Sequence, residues 1–113
     1  MLNDSPRLDR AFHALSDPIR RGMLERLSRG PASVSELARP LPISLPAVLQ
    51  HLQALESSGL IATHKAGRVR TCRLEPKALS AAEAWIGAQR TVWEGRLDRF
   101  ENYIDDLNQE TNP

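Results

Sequence analysis

Up to residue 60, apolar positions recur at helical spacing in four separate runs, each bounded by recognisable start or stop signals. Leu8, Ala11, Phe12 and Leu15 define a short amphipathic helix over 6–15. Asp17-Pro18 opens a second: a carboxylate at the N-cap, then proline at the first helical position, where its missing N–H costs nothing. Ile19, Met23, Leu24 and Leu27 supply its buried stripe, and Gly30-Pro31 stops it. Ser33 and Glu36 have the S-x-x-E spacing of a capping box, which predicts a third helix with Val34, Leu37, Ala38 and Leu41 inward, ended by Pro40 and Pro42. Ser44 caps a fourth, Pro46 is tolerated in its first turn, and Val48, Leu52 and Leu55 form its buried stripe up to Gly59. Leu45 and Leu49 flank that stripe, and Leu49 is expected in the core.

The period then changes. Residues 60–66 and 68–74 read as two strands around Gly67, a β-hairpin. From about Leu79 to Leu107 there is no internal proline, and Ile86, Trp93, Leu97, Phe100, Ile104 and Leu107 step by seven, four, three, four and three, with Arg90 filling the missing place. That heptad-like spacing predicts a terminal helix of about seven turns over 80–108. A small domain cannot cover both ends of so long an apolar stripe, so a second copy of the same helix is expected against it, with Phe12 joining the contact. Mainly helical, with about five helices and a hairpin, the chain is expected to be one domain over 1–113: a core at 6–79 and a dimerisation helix at 80–108.

Composition narrows the function more by exclusion than by signal. The overall charge of +1 hides an asymmetry: residues 1–79 hold twelve Lys+Arg against seven acids (net +5), and residues 80–113 hold three Arg against seven acids (net −4). A basic face for nucleic acid and an acidic remainder would give that split. No apolar run is long enough to span a bilayer, and MLNDSPRLDR lacks the apolar region of a signal peptide, so a cytoplasmic protein without membrane contact is expected. The lone Cys72 shares a strand face with Leu74 and reads as a small buried hydrophobe rather than a redox switch. His13, His51 and His64 are too scattered for a zinc site, and no cofactor is expected. No Gly-rich phosphate loop, nucleophile motif or clustered acid–base pair points to an enzyme.

Helix, turn, helix and basic hairpin, in that order, form the layout that places one helix in the DNA major groove. The first turns of the helix at 44–57 would enter it. Gln50 can pair bidentately with adenine, Ser44 can bond a base or phosphate, and Leu45 and Ala47 can touch a thymine methyl. His51 is either a reader or a satisfied structural histidine. The hairpin carries His64, Lys65, Arg68, Arg70 and Arg73 with no acid between 64 and 74, and Arg68 beside Gly67 at its tip is the strongest backbone or minor-groove candidate. Arg20 and Arg21 are equally readable as phosphate contacts or salt-bridge partners. Trp85 and Trp93 read as core or dimer packing, or as walls of a small-molecule effector pocket between terminal helices. The competing class is a protein-interaction module on the same scaffold.

The segments ALSDPIRR at 14–21, SVSELA at 33–38, SLPAVLQHLQALESSGLI at 44–61 and GRVRTCRL at 67–74, taken in this order, make residues 10–80 resemble the ArsR family of bacterial winged-helix repressors. The resemblance implies a homodimeric regulator, usually a repressor, on a near-palindromic operator in double-stranded DNA. Metal-sensing members carry a cysteine pair in the helix matching 34–41, or Asp, His and Glu ligands along the terminal helix. Here 34–41 is VSELARPL and the terminal helix has no histidine, so the metal-sensing role is not expected to carry over.

Overall fold

A computed structural model describes residues 6–111. Its elements run α1 (Pro6–Leu15), α2 (Pro18–Leu27), β1 (Ala32–Ser33), α3 (Val34–Ala38), α4 (Leu45–Ser57), β2 (Ile61–Ala66), β3 (Val69–Leu74) and α5 (Pro76–Thr111). The chain divides after Ala82 into two compact units.

The capping signals set the helix ends. Asp17 accepts from the Arg20 N–H at 3.0 Å, with Pro18 following it. Ser33 and Glu36 close the reciprocal box: the Glu36 N–H donates to Ser33 Oγ at 3.1 Å and the Ser33 N–H to Glu36 Oε1 at 3.3 Å. Ser44 Oγ accepts from the Ala47 N–H at 3.3 Å. At the far end of α4, the Leu60 N–H bonds the Leu55 carbonyl and the Gly59 N–H the Glu56 carbonyl, both at 3.0 Å, the paired bonds of a Schellman cap. Gly59 has φ +79°, a left-handed conformation that glycine adopts without steric penalty.

The sequence motif DPIRR has a second structural use. Arg20 Nε donates to the Ala14 carbonyl at 2.8 Å and Nη2 to the His13 carbonyl at 3.1 Å, while Arg21 Nη1 donates to the Leu15 carbonyl at 2.7 Å. Two guanidinium groups from the start of α2 thus satisfy the last carbonyls of α1, which have no partners within their own helix.

The sheet is three-stranded and antiparallel, in the order β1-β3-β2. Ala32 pairs with Cys72 and Ser33 with Thr71, and β2 pairs with β3 from Ile61↔Leu74 to Ala66↔Val69. The hairpin turns on Gly67-Arg68, so β3 begins at Val69, one residue later than its composition suggests. Gly67 has φ +63° and no non-glycine residue described has positive φ, the pattern of a II′ hairpin turn with glycine at its first central position.

Met23, Leu24, Leu27, Leu37, Val48, Leu52, Leu55, Leu60, Ile61 and Cys72 form one buried cluster that joins α2, α3, α4 and the sheet. Cys72 is fully buried, and burial raises its thiol pKa, as expected of a packing residue. Two expectations need correction. Leu49 is 40% exposed rather than in the core, because the elements covering the α4 stripe leave its flank open. The terminal helix starts at Pro76, not near 80, since proline fits the first helical turn.

Candidate nucleic-acid interface

The capped N-terminus of α4 and the hairpin tip build one face. At 100° per residue, Leu45, Leu49, Gln53, Pro46 and Gln50 fall within about 140° of arc on α4, opposite Val48, Leu52 and Leu55. All five are exposed, and none is charged. Strand pairing sorts the hairpin in the same way. Ile61↔Leu74, Thr63↔Cys72 and Lys65↔Arg70 share the sheet face that holds buried Cys72, while Ala62↔Arg73, His64↔Thr71 and Ala66↔Val69 share the other.

Leu45, Leu49, Lys65, Arg68, Val69 and Arg70 line one concave pocket of about 630 Å³, closed at one end by the start of α3. Its lining contains no carboxylate. Among the described residues, Lys65, Arg68 and Arg70 make no ion pair, whereas Arg26 pairs with Glu36 and Arg73 with Glu75. The cations of the tip are thus held without an ion-pair partner beside the first turns of α4, whose exposed arc is uncharged from Leu45 to Gln53 and has its one carboxylate, Glu56, at the far end.

Five of the candidate residues stand elsewhere or are otherwise engaged. His51 is half-buried and turned toward α2, with Nδ1 3.2 Å from Arg20 Nη1 and 3.8 Å from Asp17 Oδ2. It ties α4 to the α1–α2 corner. The Arg20 N–H, chiefly, and then the His51 and Arg20 charges hold the Asp17 carboxyl below the usual carboxylate range. His64 lies on the opposite sheet face from Lys65 and Arg70. Ala47 is half-buried, and its backbone N–H donates to the N-cap Ser44 Oγ. Arg20 and Arg21 are occupied by carbonyls of α1. Reading the α4 sequence as a helical wheel would have added Leu49 and Gln53 to this face. Val69, apolar at the start of a basic strand, gives no sequence signal; it lines the pocket from beside the turn, although its pair with Ala66 belongs to the other sheet face.

The long helix is separate in character. Trp85, Ile86, Val92, Trp93, Leu97, Phe100, Tyr103, Ile104 and Leu107 are all exposed, Trp93 at 64% and Phe100 at 61%. At 100° per residue they fall within about 140° of arc. Trp85, Val92 and Tyr103 extend the heptad set. Phe12, on α1, is half-buried.

A helix-turn-helix with an adjoining basic β-hairpin, its second helix exposed along one side and uncharged there over its first turns, defines a winged helix-turn-helix DNA-binding protein. A family model described as a helix-turn-helix domain matches residues 15–64. The HTH-type transcriptional regulator Rv2034 of Mycobacterium tuberculosis is 40% identical over 103 residues, 91% of this chain and 94% of its own. The crystal structure of an ArsR family transcriptional regulator, RHA00566, is 51% identical, covers 83% of this chain and 97% of its own, and superposes with a TM-score of 0.78. The chain belongs to the ArsR family of winged helix-turn-helix transcriptional regulators, DNA-binding proteins rather than enzymes. The transcriptional repressor SdpR of Bacillus subtilis is 29% identical over 79 residues, 70% of this chain and 88% of its own. No helix among the described residues is long and apolar enough to cross a membrane.

Proposed function

We propose that the protein is a homodimeric repressor that binds a near-palindromic operator through α4 and the hairpin. The observation that carries this reading is that Lys65, Arg68 and Arg70, without an ion pair among the described residues, stand beside the exposed first turns of α4, which hold no charge from Leu45 to Gln53. Phosphates fit the first and base edges fit the second. Exposed Gln50 would read adenine, with Ser44 and Leu45 at the entering end of the helix. The apolar arc of α5 supports the dimer: large apolar side chains exposed from Ile86 to Ile104 are the pattern of a helix that lacks a cover, and an identical helix is the simplest one. A two-fold dimer presents two copies of α4, so half-sites about one DNA turn apart follow from symmetry.

The test is selection of bound fragments from the source genome, followed by affinity measurement across a salt series. Three cations per protomer, six per dimer, give an expected log–log slope of about −5 against salt. A chain that sediments as a dimer but shows no preference among fragments would end the repressor reading.

A further inference from the structure

Among the described residues up to Ala82, the exposed large apolar side chains are three: Leu45 at 55%, Leu49 at 40% and Val69 at 54%. They do not scatter. All three line the same concave pocket, and the cations in its wall are Lys65, Arg68 and Arg70. Leu45 and Leu49 stand one turn apart on α4, and Val69 comes from the facing hairpin. An apolar surface kept in water beside unpaired cations, with no carboxylate in the lining, suits an occupant that is apolar at its centre and anionic at its edges. Duplex DNA has one such feature. Thymine alone puts an apolar group, its C5-methyl, on the major-groove edge, and phosphates flank it. Paired RNA does not offer it, because uracil lacks the methyl and the A-form major groove is too narrow for side chains.

We infer that this pocket is a receptor for thymine methyl groups, with Leu45, Leu49 and Val69 as its apolar contacts and Lys65, Arg68 and Arg70 as phosphate holders. The inference rests on the DNA-binding reading above and deepens it. Gln50 and Gln53 lie on the adjoining arc of α4, and glutamine is the side chain that pairs with adenine N6 and N7. Leucines for the methyl and glutamines for the partner base make α4 a reader of A·T pairs from both strands.

The experiment replaces thymines of a selected operator half-site, one at a time, by deoxyuridine, which keeps every hydrogen bond and removes only the methyl. Affinities are measured for the full-length protein and for Leu45→Ala, Leu49→Ala and Arg68→Ala. At one or more positions the wild type should lose about fourfold in affinity for each methyl removed, the transfer value of one buried methyl(ene) group. Leu45→Ala or Leu49→Ala should bind the thymine duplex more weakly and lose the thymine-over-uracil preference at that position. Arg68→Ala should weaken both duplexes and keep the preference. Both leucines are exposed, so circular dichroism and the thermal midpoint should be unchanged. Equal affinity for thymine and uracil duplexes throughout overturns the inference while leaving DNA binding intact. So does a preference that survives both leucine substitutions. If those substitutions change the sedimenting species and not the preference, a second copy covers the pocket and the inference fails. If no fragment is selected, the DNA reading itself falls, and this one with it.

Discussion

Residues 6–82 and residues 83–111 solve the same problem in opposite ways. The first stretch closes its own core: α2, α3, α4 and the sheet bury a continuous apolar cluster around Leu55, Leu60, Val48 and Cys72. The second has large apolar side chains and buries none of them; from Glu83 to Glu110 only Gly95 is even half-buried in the single chain. Apolar content does not separate the two. Connectivity does: short elements joined by tight caps can fold back on each other, and one uninterrupted helix cannot. Stability of the first stretch is therefore internal, whereas the second leaves its apolar stripe uncovered within the single chain.

The sharpest break of that contrast is Leu97→Glu combined with Phe100→Glu. Two carboxylates on the exposed stripe would be driven into an apolar interface, so the protein should sediment as a monomer. Both tryptophans, Trp85 and Trp93, lie in this stretch, so their emission should shift to longer wavelength in the variant. An unchanged dimer with unchanged emission would mean that α5 is not the interface. Next in size is Leu55→Ala, which removes a fully buried side chain of the first stretch and should cost about 2–5 kcal/mol in denaturant unfolding. A cost below about 1 kcal/mol would deny that stretch its own core.

Arg68→Ala tests the face rather than the fold. It should weaken all operator sequences similarly and make the salt slope shallower by about 2 for a dimer, with no change in thermal midpoint. Smaller again is Ser44→Ala, which deletes the α4 N-cap and should cost about 1 kcal/mol by chemical denaturation.

Acid gives the gentlest test. The Asp17 carboxyl is held low chiefly by the Arg20 N–H, and the Glu36 carboxyl by the Ser33 N–H and hydroxyl. Because both folded-state pKa values lie below the unfolded ones, their contribution is fully present above the ordinary carboxylate value of about 4. It is lost as pH falls through the lower folded values. The thermal midpoint should drop on acidification below about pH 5, and Asp17→Asn with Glu36→Gln should flatten that drop. An identical pH profile in the double variant would show that the two caps carry none of it.

Much of this was legible before folding. Asp17-Pro18, the Ser33–Glu36 box, Ser44 and Gly59 fix helix ends through bonds that span three or four residues, so local sequence contains both partners. The terminal stripe was legible for the same reason, being a property of one helix. Strand β1 was not: two residues give no alternation, and Ala32–Ser33 is a strand only because Cys72 and Thr71 lie beside it. Leu49 misled because it borders the buried stripe, and whether a border is covered depends on where the hairpin lands. His51 was undecided for a similar cause, since its partners Arg20 and Asp17 are more than thirty residues away.

The chain alone thus dictates where helices begin and end, that a basic hairpin follows a helix-turn-helix, and that the last helix has an apolar side. Those are short-range facts, carried by capping bonds and periodicity. Which cations are spent and which stay free is settled by the packed fold: Arg20 and Arg21 on the carbonyls of α1, Arg73 on Glu75, and Lys65, Arg68 and Arg70, without an ion pair among the described residues, around Leu45, Leu49 and Val69. The reason is distance. A charge is neutralised by whatever the fold brings within a few ångströms, and local sequence does not specify that neighbour.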